Sequence, residues 1–147
     1  MAGCAVLAGA AIGLDIEPRS RNLQWQKIVE RWFTAHERDW LSHINDSETF
    51  LKTWTLKEAW LKATGRGIAG NLHTLEISSG FVLRGDRPEQ AWKATLGHSG
   101  NYLIALVSQG TALPAGFMIP GLIDIDNPEA GAGSALAIDW ILQREIY

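Results

Sequence analysis

The sequence predicts an α+β fold, because strand-like and helix-like patterns occupy separate parts of the chain. An alternating segment near the start precedes three stretches with helical spacing, and four further strand candidates follow them. The chain has 147 residues, enough for one domain with a hydrophobic core. Its hydrophobic content of 46% and charged content of 20% are typical of a soluble globular protein.

The segment Ile12–Glu17 is predicted to be a strand that ends at Pro18. Side chains alternate across a strand, so Asp15 and Glu17 share one face and the aliphatic residues share the other. Two acids in this position are also compatible with the solvated end of an edge strand.

Three helices are predicted after this strand. Apolar residues at 25, 28, 29 and 32 have helical spacing, and Thr34 with Glu37 forms the pattern of a capping box that begins a second helix. A long third helix begins after a cap at Asp46 or Ser47 and ends near the glycines at 65 and 67.

The strand candidates that follow are residues 72–77, 80–83, 91–96 and 102–107. From Gly110 the composition shifts toward Pro and Gly, so we divide the chain into a domain at 1–110 and an extension at 111–147. The extension contains an apolar segment, Leu136–Leu142, which is predicted to be a short helix capped by Ser134.

Four residues indicate chemistry. Glu58 lies within the apolar arc of the long helix, and Lys62 follows it by one turn. An exposed Glu–Lys pair would explain this spacing, but an acid on an apolar arc is unfavourable unless it is paired or bound to metal. With Asp15 and Glu17, these residues could hold a hard cation and a phosphate together, as a magnesium-dependent transfer from a diphosphate requires.

The sequence resembles the 4'-phosphopantetheinyl transferases, and within them the surfactin-synthetase-activating class. The resemblance extends from about Ala5 to Ser108 and depends on motifs in the family's order. These motifs are Gly13-Leu14-Asp15-Ile16-Glu17, Phe33-Thr34-Ala35-His36-Glu37, Trp54-Thr55-Leu56-Lys57-Glu58-Ala59 through Lys62, and Gly65-Arg66-Gly67.

The resemblance implies a small antiparallel sheet packed on a long helix, and transfer of 4'-phosphopantetheine from coenzyme A to a serine of a carrier protein. It implies that Asp15, Glu17 and Glu58 bind Mg²⁺ and that Glu58 also acts as the general base. Lys62 would contact the coenzyme A phosphates and assist the leaving group. Lys57 is a further candidate phosphate contact, although helix geometry turns it away from Lys62.

Members of this class typically consist of two similar halves, and this sequence corresponds to the carboxyl-terminal half. We therefore expect a homo-oligomer, with a two-fold dimer as first choice and a three-fold ring as second, or completion by a separate subunit. The alternative function is a non-catalytic or truncated binding or assembly subunit that keeps the transferase fold.

Charge and composition exclude other classes. The net charge of −3 argues against a nucleic-acid partner, and an acidic carrier protein would need a local basic patch. We find no apolar run long enough to span a bilayer. The single cysteine, Cys4, cannot form an internal disulfide and fits a reducing cytoplasm.

Overall fold

The computed structural model describes residues 5, 7, 9–21, 24–110 and 138–147, and these residues form an α+β fold. The described helices are α1 (Trp25–Trp32), α2 (Ala35–Ile44) and α3 (Ser47–Ala63), with a short 3-10 turn at Leu72–Thr74. The described strands are β1 (Ile12–Pro18), β2 (Leu75–Ser78), β3 (Val82–Gly85), β4 (Trp92–Ser99), β5 (Tyr102–Gln109) and β6 (Asp139–Ile146). The predicted α+β class is therefore confirmed.

The six strands form one sheet in the order β1-β5-β4-β6-β3-β2. Neighbours are antiparallel except β3 and β6, which are parallel where Leu83 lies opposite Ile146. Strand β1 is at one edge, and its register on β5 places Asp15 opposite Ala105 and Glu17 opposite Leu103. Asp15 and Glu17 are therefore on an edge strand of this sheet.

The helix predicted at Leu136–Leu142 is wrong from Asp139 onward, where the chain forms β6. Its predicted cap, Ser134, and Leu136 lie outside the described residues. Strand β6 pairs with β4, with Leu142 opposite Leu96. A short apolar run is compatible with either a helix or a strand, and here the hydrogen-bonding edge of β4 decides between them.

The helix starts follow from local chemistry. Thr34 and Glu37 form the predicted capping box at α2, with each side chain bonding the other residue's backbone N–H. Asp46 caps α3 and accepts hydrogen bonds from the backbone N–H groups of Glu48 and Thr49. Capping matters at α3 because it satisfies backbone donors that the helix itself leaves unpaired.

Helix α3 covers the sheet and provides much of the core. Trp60 is completely buried and meets Trp92 of β4 edge to face, with ring centroids 5.1 Å apart. Nearer the start of α3, Phe50 stacks on Trp25 of α1 at 5.6 Å. These aromatic contacts fix the rotation of α3 against the sheet, and this rotation determines which of its side chains face β1.

Candidate functional site

Helix α3 lies directly on strand β1, and a glycine permits this close approach. A Cβ atom at Gly13 would collide with the carbonyl oxygen of Ala59 and with the backbone nitrogen of Ala63. The buried residues of β1 are those at 13, 15 and 17, whereas the alternate apolar positions are only partly buried. The polar face of β1 is therefore turned toward α3, which is unusual for a strand and typical of a functional site.

Three side chains of α3 face these acids at intervals of one helical turn. Trp54, Glu58 and Lys62 are four residues apart, so they project from the same side of the helix. Lys62 Nζ donates a hydrogen bond to Asp15 Oδ1 at 2.8 Å. Trp54 Nε1 donates one to Glu17 Oε1 at 3.0 Å. The helix thus contacts both acids of the strand.

Asp15 is a buried acid with only one of its two oxygens paired by the residues that the structure describes. Only 6% of its surface is accessible, and its Oδ2 atom has no hydrogen-bond partner among the described residues. Burial raises the pKa of Asp15, and the hydrogen bond from Lys62 opposes that rise without cancelling it. The carboxylate therefore has an acceptor oxygen that this part of the chain leaves unpaired.

Glu17 has more partners than Asp15. The guanidinium group of Arg21 contacts both of its carboxylate oxygens, in addition to the Trp54 indole N–H. Neither partner of Glu17 is among the residues predicted from the sequence to form the site. Trp54 precedes Glu58 by one turn, so helical spacing could have indicated its position, whereas Arg21 follows the strand end at Pro18 in a segment without periodicity.

Glu58 has a raised pKa. Burial, followed by the negative charge of Asp15, raises the pKa of Glu58 to about 7, and Glu17 contributes in the same direction. Lys62 and Arg21 partly oppose the shift. A carboxyl group that titrates near neutrality can accept a proton from a nearby hydroxyl and release it again, as a general base must.

The residues fit a divalent cation in their chemistry. Within the described ranges, no three His, Cys, Asp or Glu side chains are already arranged as metal ligands. Asp15 and Glu17 are instead each in contact with a cation of the chain, Lys62 and Arg21. All candidate donors are carboxylate oxygens, which Mg²⁺ prefers, and the unpaired Asp15 oxygen and the raised pKa of Glu58 indicate negative charge that is incompletely neutralised.

The structure does not bring Lys57 to this group. Its ammonium lies in the core, 2.7 Å from Glu37 Oε1, and also donates to the carbonyl oxygens of Leu72 and Leu75. Burial lowers the pKa of Lys57, and Glu37 opposes that change. The expectation of a phosphate contact at Lys57 is corrected, because its side chain is fully buried and already paired.

Glu37 has a structural role, as its capping-box pattern predicted. Its Oε2 accepts from the Thr34 backbone N–H at 2.9 Å, and its Oε1 accepts from the Ile77 backbone N–H at 2.8 Å. With the contact to Lys57, this one carboxylate links α2, β2 and α3. The ion pair of Glu37 and Lys57 therefore supports α3, the helix that carries Glu58 and Lys62.

A cleft of about 420 Å³ lies beside the strand end that carries these acids. Arg19, Ser20 and Arg21 line one part of it, and residues of α1 and the first turn of α3 line the rest. Arg19 also approaches Glu48 Oε1 at 3.5 Å. The cleft thus combines two arginines with an aromatic and hydroxyl lining, on a chain whose overall charge is negative.

Comparison with known proteins shows the family to which this part of the chain belongs. A sequence model of the 4'-phosphopantetheinyl transferase superfamily matches residues 11–107, which include β1, all of α3 and β2–β5 apart from the last residues of β5. The chain therefore belongs to the 4'-phosphopantetheinyl transferase superfamily.

Two curated relatives align with part of the chain. One is the 4'-phosphopantetheinyl transferase HetI of Nostoc sp. strain PCC 7120, which is 37% identical over 81 residues, or 53% of this chain and 34% of the relative. The other is the putative 4'-phosphopantetheinyl transferase slr0495 of Synechocystis sp., which is 35% identical over 65 residues, or 42% of this chain and 26% of the relative. The aligned part thus spans about a third or less of these relatives.

None of the helices in the described ranges combines the length and the apolar character needed to cross a membrane.

Proposed function

We propose that this chain catalyses the magnesium-dependent transfer of 4'-phosphopantetheine from coenzyme A to a serine of an acyl or peptidyl carrier protein. The observation that carries the proposal is the pair of buried β1 acids, Asp15 and Glu17, facing Glu58 and Lys62 of α3. Membership of the superfamily and the printed names of two relatives support the same reaction.

The reaction assigns a distinct task to each side chain. The carrier serine oxygen forms a bond to the phosphorus that bears the pantetheine arm, and the bond from that phosphorus to the bridging oxygen breaks. Glu58 accepts the serine proton as the general base. Lys62 stabilises the negative charge on the departing adenosine 3',5'-bisphosphate. Asp15, Glu17 and Glu58 would hold the Mg²⁺ ion, whose chemistry is to neutralise the diphosphate.

A carrier protein is the proposed macromolecular partner. Carrier proteins are usually acidic, and this chain has a net charge of −3. The overall electric field of the chain therefore does not attract an acidic carrier protein. Arg19 and Arg21 line the cleft beside β1 and place two guanidinium groups there, each of which also pairs with an acid of the chain. Their position next to the proposed catalytic acids supports docking of an acidic carrier on this side of the molecule.

We also propose that the chain forms a homo-oligomer, with a two-fold dimer as first choice and a three-fold ring as second. Strand β6 supports the proposal, because 42% of Trp140 and 48% of Ile141 remain accessible. A partner that covered them would remove apolar surface from water. Light scattering at micromolar concentration tests the point, and a well-behaved monomer would contradict it.

The test of the reaction is incubation with coenzyme A, Mg²⁺ and a panel of apo-carrier proteins, followed by intact mass measurement. We expect the mass of one carrier to increase by one phosphopantetheine group, and no increase for that carrier with its acceptor serine replaced by alanine. Carrier binding without any mass increase, in the presence of Mg²⁺, would favour the non-catalytic binding or assembly subunit instead.

A further inference from the structure

We propose that Arg21 is a resident counter-ion that a divalent cation must displace from Glu17, so that Arg21 sets the metal affinity of the site. The inference deepens the proposed function and rests on its metal site. It starts from the finding that both strand acids are engaged by cations of the chain itself.

The two ion pairs differ in how much of each carboxylate they occupy. Lys62 contacts only Oδ1 of Asp15, and Oδ2 has no partner in the described part of the chain. Arg21, in contrast, contacts both oxygens of Glu17. Asp15 therefore has an oxygen available for a cation while Lys62 stays in place, whereas both oxygens of Glu17 are already held.

Trp54 and Arg21 also differ as partners of Glu17. The Trp54 indole N–H is neutral and takes one lone pair of Oε1, and a carboxylate oxygen can accept a second contact. The Arg21 guanidinium carries a full positive charge and contacts both carboxylate oxygens of Glu17. It would therefore repel a Mg²⁺ ion bound to these oxygens at the usual distance of about 2.0–2.1 Å. Trp54 can stay and keep Glu17 oriented, but Arg21 must leave.

The exchange is sterically feasible. Arg21 follows the end of β1, and 39% of its side chain is accessible, against 9% for Glu17. Its neighbours Arg19 and Ser20 line the same cleft, which gives the released guanidinium a hydrated position.

Calorimetric titration with MgCl₂ tests the inference on the parent chain and on Arg21→Gln. We expect the variant to bind Mg²⁺ about 5-fold or more tightly, a factor at the lower end of usual coupling between two ligands of one protein. Without added metal its Tm should be lower than that of the parent, because Glu17 loses its counter-ion. Saturating Mg²⁺ should then raise its Tm by more than it raises that of the parent.

The matched control is Arg19→Gln. Arg19 has the same side-chain accessibility, 39%, lines the same cleft and forms an ion pair, but its partner is the exposed Glu48. Its removal subtracts the same charge from the same region, so we expect the Mg²⁺ affinity to stay near that of the parent. An equal gain in affinity for both glutamine variants would overturn the inference in favour of a general electrostatic effect.

Arg21→Lys provides a second variant in case the glutamine variant fails to fold. Lysine keeps the charge, but its ammonium group is more strongly hydrated than the guanidinium group, whose Nη1 contacts both Glu17 oxygens. Mg²⁺ affinity should therefore lie between those of the parent and Arg21→Gln. Parent-like Mg²⁺ binding in folded Arg21 variants would overturn the counter-ion role and leave the metal site intact. Absence of Mg²⁺ binding by every variant would overturn the metal site and this inference together.

Discussion

Lys62 Nζ lies 2.8 Å from Asp15 Oδ1 and joins the last turn of α3 to the middle of β1. The lysine side chain is 51% accessible, whereas the aspartate side chain is only 8% accessible. The ammonium group is therefore fixed at one side by a buried acid and open to solvent at the other. This position suits a cation that receives an anionic ligand from solution.

Replacing Lys62 by alanine should lower the rate of phosphopantetheine transfer by about 10²–10³-fold, because one preorganised charge is lost from the leaving-group side. The rate is measured with coenzyme A and a carrier identified by mass. Lys52→Ala is the matched control, since Lys52 lies on the same helix and pairs with Glu48 at 2.9 Å. Near-normal turnover in the Lys62 variant would reject its assigned role.

Glu58→Gln keeps the size of the side chain but removes its ability to accept a proton, so we expect transfer to fall by about 10²–10³-fold. Far-ultraviolet circular dichroism should match that of the parent. Glu48→Gln on the exposed side of α3 is the control and should retain activity. Equal activity in both glutamine variants would exclude Glu58 as the base.

Stability should depend on pH through Glu58. Its pKa is 4.5 when unperturbed and about 7 in the folded chain, so the folded state holds this proton more tightly than the unfolded state. In metal-free buffer, this residue's contribution to the free energy of unfolding should therefore fall as pH rises from about 4.5 to 7 and then level off.

Urea unfolding at a series of pH values measures this dependence in the parent and in Glu58→Gln. The variant should lose part of the decline, because glutamine does not titrate in this range. Identical pH profiles for the two proteins would contradict the assignment of the shifted pKa to Glu58.

Gly13→Ala should destabilise the fold by about 1–3 kcal/mol or more, because the added methyl group overlaps the backbone of α3 at Ala59 and Ala63. Urea unfolding gives the free energy. Gly67→Ala is the control, since a Cβ at Gly67 would have no neighbour within 4 Å. If Gly13→Ala unfolds like the parent, β1 and α3 are not as close as described.

Lys57→Met should lower the free energy of unfolding by about 3–5 kcal/mol, because it leaves the Glu37 carboxylate buried without its cation. A folded double variant, Lys57→Met with Glu37→Gln, should recover part of that loss. Neutral glutamine leaves no unpaired buried charge, and its one carbonyl oxygen can still accept the backbone N–H of either Thr34 or Ile77. A Lys57 variant with parental stability and weakened coenzyme A binding would instead restore the phosphate role expected from sequence.

Local patterns in the sequence predicted the parts of the site that depend on local geometry. Alternation along Ile12–Glu17 put Asp15 and Glu17 on one face, and the spacing in α3 put Glu58 and Lys62 one turn apart. The structure agrees with both arrangements. These features could be predicted because strand and helix periodicities depend only on neighbouring residues.

Long-range contacts were less predictable. Helical geometry indicated that Lys57 points away from Lys62, but not which groups it meets. These are the Glu37 carboxylate and the carbonyl oxygens of Leu72 in the 3-10 turn and Leu75 at the start of β2. The strand identity of Asp139–Ile146 depends on pairing with β4, which lies far away in the chain. The contact of Arg21 with Glu17 occurs beyond a strand end, where no regular spacing applies.

The alternation of β1 also makes its pairing register decisive. Asp15 reaches α3 only because it lies opposite Ala105 on β5. A slip of this pairing by one residue would turn Leu14 and Ile16 toward α3 and place both acids on the opposite face of the sheet. Such a molecule could still be compact, and its apolar contacts with α3 could even increase. Collapse alone would therefore not assemble the proposed site, because the edge strand must pair in its less hydrophobic alignment.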